Sequence, residues 1–411
     1  MSGKKLLGAA SAALMIVIVL TLVLAPAAGA AGKYKVLYAF HGSDGDYPEA
    51  SLIFDPAGNL YGTTLFGGAN NVGTIFKLTR NADGSWTESV LHSFAGSDSP
   101  SYAGLIFDAS GNLYGTTPSG GAHMLGTVFK LKPNADGSWT ESVLHSFSGG
   151  SDGYLPEAGL IFDAAGNLYG TTSMGGPHRQ CDGYGCGTVF KLKPNADGSW
   201  TKSVLHSFNI SDGAAPYFGS LIFDAAGNLY GATNGGGTYG RGTVFKLTPN
   251  ADGSWTESVL HSFKSSDGYS PIAGLIFDAT GNIYGTTRGG GFHNLGTVFK
   301  MTPNADGSWT ESVLHRFGGT SASHPDTGLI FDGAGNLYGT AANGGSAEGG
   351  AAFKLSPNQD GSWAYSLIHA FHGKPALGAD GGLILDSAGT LYGTAAGCSR
   401  GCKGVVYQIT P

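Results

Sequence analysis

Short apolar runs, cut by clusters of Gly, Asn, Asp, Ser and Pro, follow one another along the chain after residue 30, and no stretch there carries the spacing of a helix. The runs recur in a fixed order. The string L-I-F-D-x-x-G-N-L-Y-G-T, with small changes, begins at Leu52, Leu105, Leu160, Leu221, Leu275, Leu329 and Leu383, at spacings of 53, 55, 61, 54, 54 and 54 residues. A period of that size means stacked supersecondary units, each too small to bury its own apolar surface.

Each unit holds four runs with the length and β-branched or aromatic content of strands. In the fifth they are Gly274–Phe277, Ile283–Thr287, Thr297–Met301 and Trp309–Phe317. Asp278-Ala279-Thr280-Gly281-Asn282 joins the first pair, and Pro303-Asn304-Ala305-Asp306-Gly307-Ser308 joins the third and fourth. Gly supplies positive φ, and Asn or Asp bonds its own backbone, so both segments read as hairpin turns. The apolar residues fill both faces of the strands, as expected of sheets covered on each side by a neighbour.

The fourth run, V-L-H-S-F or a close variant, occurs at Val90, Val143, Val204, Val259, Val313 and Leu367, six copies for seven units. The last unit ends on its third run, Val405–Ile409, and the missing strand stands alone at Val36–Phe40, ahead of the first unit. A closed ring of seven four-stranded blades, the last completed by the N-terminal strand, accounts for this offset; an open stack would leave two unprotected edges. The expected fold is therefore an all-β, seven-bladed β-propeller of antiparallel strands. It forms a single domain over 31–411, with repeats starting near 50, 103, 158, 219, 273, 327 and 381.

The first thirty residues differ: Lys4 and Lys5, an apolar run from Leu6 to Leu24, then Ala28-Gly29-Ala30. This reads as a signal peptide cleaved after Ala30, with an uncleaved N-terminal membrane anchor as the alternative. No second apolar segment of that length exists, so no membrane span is expected after cleavage. Secretion, to the exterior or the periplasm, follows. The mature chain carries 20 basic and 29 acidic residues, a net charge of −9 with no basic cluster, which disfavours nucleic acid and anionic lipid as partners. In an exported chain the four Cys pair locally as disulfides, Cys181–Cys186 and Cys398–Cys402, each pinning the loop between second and third strands. Zinc binding by Cys181 with His178 is the alternative.

Polar residues that recur in every unit point to scaffold, because a catalytic centre is asymmetric. His92, His145, His206, His261, His315 and His369 share one position in the fourth strand, with Tyr38 standing there in the seventh blade. Asp55, Asp108, Asp163, Asp224, Asp278, Asp332 and Asp386 close the first strand, where Asx turns explain them better than a ring of cation ligands. The six Trp all follow the N-A-D-G-S turn or its variant, and edge packing is their expected role. That turn, at Asn134–Trp139 for example, resembles the Asp-box hairpins of sialidase-type propellers, although Asp136 and Gly137 are adjacent where the Asp box has a residue between them. Nothing marks the Arg triad or nucleophile that sialidase chemistry needs.

Candidate site residues lie where the units disagree. Loops between second and third strands contribute His123, His178, Arg179, Tyr239, Arg241, Arg288, Phe292, His293, Arg400 and Lys403. The connections between blades contribute Asp46, Tyr47, Glu49, Tyr154, Glu157, Tyr217, Tyr269, His324 and Asp326. Both loop sets are expected on one face. Tyr and Arg with carboxylates between them suit a glycan or a loop of an extracellular protein. No cofactor is expected; Asp44-Gly45-Asp46 is the one place where Ca²⁺ could begin a loop, and a monomer is the expected state.

The unit S-D-G-x-x-P-x-A-G-L-I-F-D-x-x-G-N-L-Y-G-T-T-x-x-G-G, followed by G-T-V-F-K-L, resembles the GloVer tandem-repeat family of exported bacterial proteins, from about Val36 to Thr410. Phe263–Leu275 and Asn282–Thr287 show it nearly intact; Thr390 replaces the Asn, and Ala341 and Ala395 the second Thr. Members of that family carry varied C-terminal anchors, and the resemblance, with none visible here, implies secretion or N-terminal retention. It implies no activity. The shorter string D-x-x-G-N-L-Y is also similar to NHL and gluconolactonase-like propellers. The expected function is non-enzymatic binding through the loop-rich face, the alternatives being an extracellular hydrolase or lyase on a polysaccharide or lactone, or a purely structural envelope protein.

Overall fold

In a computed structural model, residues 32–411 are described apart from 101, 103, 179, 182, 319–321, 345–348, 373–377, 380 and 398–402. The segment read as a signal peptide, the Cys398–Cys402 pair, Arg179 and Arg400 therefore lie outside the described residues. Seven four-stranded antiparallel sheets form the seven blades of a β-propeller. The first blade runs Ile53–Phe54, Leu60–Thr64, Thr74–Arg80 and Trp86–Ser93 from the axis outward. The seventh consists of Ile384–Leu385, Leu391–Ala395 and Val405–Thr410, with the N-terminal strand Lys33–Ala39 paired on its outer edge. Lys33 lies opposite Thr410 and Ala39 opposite Val405, so the offset in the sequence is a seam in the structure.

Seven buried clusters sit between blades rather than within them. Tyr61, Ile75 and Phe94 of the first blade pack on Leu105, Leu113, Phe129 and Leu131 of the second, and equivalent sets follow round the ring. Phe40, Tyr392 and Val406 of the seventh blade pack on Leu52, Leu60, Phe76 and Leu78 of the first, which closes it. The Trp residues add to these contacts: Trp86 meets Tyr392 edge-on at 6.4 Å, and Trp255 meets Tyr169 in the same way, each reaching back to the preceding blade. Edge packing is thus what the Trp positions do.

The innermost strand is shorter than the sequence suggests, with two paired residues, Ile276–Phe277 in the fifth blade. Leu275 leaves the ladder because its side chain folds over Gly285 of the second strand, where an added Cβ would come within 2.8 Å of Leu275 and 2.6 Å of Phe299. This glycine is a packing necessity. The Asp that ends the strand is fully engaged: Asp55 accepts from the main-chain N–H of Ala57 and Asn59 through Oδ1, and from Asn59 Nδ2 and the Tyr61 hydroxyl through Oδ2. These bonds hold its carboxyl below the usual range, against the opposing effect of burial. The same arrangement recurs through Asp386, where Thr390 supplies only its N–H. D-x-x-G-N-x-Y is therefore a self-contained Asx turn, as its spacing predicts.

Candidate functional site: the mouth of the central cavity

The connection between blades pairs with the loop between second and third strands through Asp46 and Phe66, Tyr154 and Met174, Ala214 and Gly235, Tyr269 and Gly289, and the ribbon Ala322–Ser323 with Asn343–Gly344. Both loop sets therefore share one face. In five connections a left-handed residue precedes a proline: Tyr47, Leu155, Ala215, Ser270 and His324, with φ between 53° and 59°. The proline ring then seats on the preceding blade at the glycine ahead of its third strand, where a Cβ on Gly126 would stand 2.5 Å from Pro156 and one on Gly296 2.5 Å from Pro325. Left-handed turn and proline together drive the next residues inward to the ring axis.

There they surround a cavity of about 570 Å³. Its wall is small-residue main chain, one residue from each blade: Ser51, Gly104, Gly159, Ser220, Gly274, Gly328 and Gly382. The residue two places before each of these forms the rim. In blade order the rim reads Glu49, Tyr102, Phe218, Ile272 and Asp326; the third-blade equivalent, Glu157, lies behind it, its carboxyl buried with a hydrogen bond from Ser173, and the seventh, Asp380, lies outside the described residues. Tyr102 and Phe218 meet at 5.1 Å between ring centroids, joining the second blade to the fourth past Glu157, and Tyr217 leans on Phe218 at 5.3 Å. Burial pushes the Glu157 carboxyl up, and one of its oxygens is buried with no hydrogen-bond partner. Burial and the charges of Glu49 and Glu157 push the Tyr102 hydroxyl up. Across the mouth, Arg288 lies 3.6 Å from Asp326, and burial with the Arg288 charge holds His324 down. Tyr102, Phe218 and Ile272 make one side of the rim apolar, and Glu49 with the Arg288–Asp326 pair makes the other polar.

The sequence-derived set is thus divided. Glu49, Glu157, Arg288, Asp326 and Tyr217 are at or beside the mouth, while His123, His178, Tyr239 and His293 are exposed on loop tips and line no part of this cavity. Arg241 is also exposed and stacks on Tyr269 at 5.2 Å, and Arg316 covers Phe292 at 5.0 Å. Cys181 and Cys186 form a disulfide, so Cys181 is not a thiolate partner for His178. Asp44 and Asp46 turn to separate partners, Asp44 to the Tyr38 hydroxyl and His41 N–H, Asp46 to Lys403 at 2.7 Å. Sequence reasoning missed Tyr102, Phe218 and Ile272. Their signal is one variable column, three residues before the repeated Leu.

The recurring His positions lie at the outer edge, in the clefts between blades. His92, His145, His206 and His261 each face an Asp of the connection that follows and a fourth-strand residue of the next blade, whereas among the described residues His315 and His369 face only the latter. His145 Nε2 is 3.2 Å from Asp152, and Lys202 reaches in from the third blade, 2.8 Å from the same carboxylate. His92 faces Glu141 at 3.6 Å, while His315 stacks on Tyr365 and His369 on Tyr34, each at 4.3 Å. At the seam the set is Tyr38, Asp44 and Glu88; burial, then the Asp44 charge, pushes Glu88 up to about 7.

A raised carboxyl favours the folded state below the ordinary Glu value, and this contribution is lost as pH rises through about 7. Glu88→Gln is therefore expected to melt with the parent at pH 5 and a few degrees above it at pH 8.5. A half-exposed cleft limits the gain to about 1–2 kcal/mol. Equal melting points at pH 8.5 would refute the assignment.

The Gloeobacter/Verrucomicrobia repeat family matches residues 23–181 and again 178–407. The chain belongs to this family. No curated protein matches this Gloeobacter/Verrucomicrobia repeat protein. Among solved structures, the extracellular domain of BT4673 from B. thetaiotaomicron is similar at 12% identity and a TM-score of 0.54 over 91% of the repeat protein, which spans 39% of that chain. A protein of unknown function from Dyadobacter fermentans DSM 18053 is similar at 12% identity and a TM-score of 0.45, over 92% of this chain and 98% of its own. At such identities the first likeness extends to the fold alone.

Proposed function

We propose that this protein is exported and binds a neutral or amino-bearing saccharide at the mouth of the central cavity, without chemically altering it. The observation that carries the reading is the divided rim. Tyr102 and Phe218 offer aromatic faces to the C–H surface of a pyranose, while Glu49 and Asp326 accept hydrogen bonds from hydroxyl or ammonium groups. The acidic rim and the excess of acidic residues disfavour anionic polymers. Export is supported by the Lys4-Lys5, Leu6–Leu24, Ala28-Gly29-Ala30 pattern and by the Cys181–Cys186 disulfide.

A glycan array followed by calorimetry tests this. Tyr102→Ala and Phe218→Ala are expected to weaken binding at least tenfold, about 1.4 kcal/mol, while His123→Ala, His178→Ala and His293→Ala leave it unchanged. Aromatic variants that bind like the parent would remove the reading.

A hydrolytic function draws on one observation, the buried Glu157 carboxyl with its raised pKa, which suits a general acid. It predicts turnover of the bound saccharide that Glu157→Gln abolishes. The scatter of His123, His178 and His293 over the loop tips supports binding instead.

A further inference from the structure

Among the described residues, two of the clefts between blades bring one His and two carboxylates within reach of a single ion; the first cleft holds the same residue types, His92, Asp98 and Glu141, without drawing them together as closely. Between the third and fourth blades the ligands are His206, Asp212 and Glu257; between the fourth and fifth, His261, Asp267 and Glu311. In each set one nitrogen and two carboxylate oxygens lie within 4.8 Å of one another. His206 Nε2 stands 3.3 Å from Asp212 and His261 Nε2 3.4 Å from Asp267. Glu257 Oε1 and Glu311 Oε1 are buried without a hydrogen-bond partner, and His206 Nε2 and His261 Nε2 are buried with only the neighbouring Asp carboxylate in reach. With at most one imidazole N–H in each set, the convergent carboxylate oxygens outnumber the donors and are costly to bury unless something positive is shared.

The chain itself shows what fits. In the preceding cleft the His–Asp pair is retained, but Lys202 stands where Glu257 and Glu311 stand in later blades. Its ammonium, on a side chain only 6% exposed, lies 2.8 Å from Asp152 Oδ1 and donates to the Asp152 carbonyl. One blade thus supplies a cation from its own strand. The fifth and sixth blades avoid the problem by stacking Tyr365 and Tyr34 on the imidazole. Lys264 is exposed near His261 and Glu311, and Arg316 acts on Glu311 from a distance, but neither forms an ion pair with the set among the described residues.

We propose that each of these two clefts binds one first-row divalent cation of the zinc and manganese class, held by His206, Asp212 and Glu257 or by His261, Asp267 and Glu311, and that the ion staples adjacent blades. One imidazole with two carboxylates selects this class over Ca²⁺ and Mg²⁺, which take all-oxygen surroundings. The remaining coordination positions fall to water at the cleft's open side.

The test is calorimetric and thermal, on purified protein stripped with EDTA. Titration with Zn²⁺ is expected to show two ions per chain and to raise the melting temperature by at least 5 °C; Ca²⁺ and Mg²⁺ at the same concentration are expected to raise it by less than 1 °C. The Glu257→Gln, Glu311→Gln double variant is expected to lose at least thirtyfold in Zn²⁺ affinity together with the thermal shift, while its metal-free form melts at or above the parent. A double variant that binds Zn²⁺ as the parent does would overturn the proposal by placing the metal at exposed histidines. A shift equally large with Ca²⁺ would overturn it by removing the imidazole from the site.

Discussion

Deleting Tyr34–Phe40 is expected to leave no stably folded propeller. The segment makes most of the pairing with Val405–Thr410, worth on the order of four to five ladder bonds at about 1 kcal/mol each. Tyr34 and Val36 pack on the cluster containing Tyr407 and Phe371, and Leu37, Tyr38 and Phe40 on the cluster shared with Phe76. At about 1.5 kcal/mol or less for each partly buried side chain, the total reaches roughly 8–10 kcal/mol, comparable to the whole stability of a domain. The expected results are insoluble protein or a melting temperature at least 15 °C lower. Moving the strand tests whether closure or chain order matters. Because Lys33 lies opposite Thr410, a turn such as Asn-Ala-Asp-Gly-Ser after Pro411 can carry residues 33–40 into the same place, and this permuted chain should melt within a few degrees of the parent. A soluble truncation with an unchanged melting temperature would refute the seam.

Lys202→Met is expected to be the most damaging single substitution at the outer edge. It leaves Asp152 charged in a cleft where, among the described residues, Lys202 is the Lys or Arg that pairs with it, and it removes the ammonium stacked over Phe147 at 5.1 Å. Breaking such a buried pair costs about 3 kcal/mol, a fall in melting temperature of roughly 4 °C for a domain of this size at neutral pH. Hydrogen bonds from His145 and Lys202, outweighing burial, hold the Asp152 carboxyl well below its ordinary value, so its contribution is present above pH 4 and lost as pH falls through the folded value. The gap between parent and variant should therefore be full at pH 7 and shrink below pH 4. A gap that persists undiminished at pH 3 would assign the effect to packing rather than charge.

The ring, the seam and the Asx turns were legible in the sequence because each depends on local chemistry repeated seven times. The rim was only half legible. Glu49, Glu157 and Asp326 drew notice as charged residues in variable loops, whereas Phe218 and Ile272 looked like ordinary apolar residues near a strand. A left-handed turn and a proline precede these residues, whereas Tyr102 reaches the axis after Pro100, which follows no left-handed residue. The clefts were obscured by a register change. In W-T-E-S-V-L-H-S, Glu and His are four residues apart and should share one strand face. The pairing shifts between Val128 and Phe129, which face His145 and Val143, and the extra residue, Leu144, reverses the side from there on. Glu141 thus faces the blade before and His145 the blade after. Residues adjacent in the motif serve different clefts, and the partners that do meet are drawn from separate repeats.

The position of the seam bears on how such a chain could change over generations. Both strands that close the ring come from the chain ends, and neither belongs to a complete interior repeat. Recombination that gains or loses one 54-residue segment between Leu221 and Leu383 would leave that closing hairpin intact. Selection on the rim can then proceed one repeat at a time, because each of the first six repeats places one residue at or behind it.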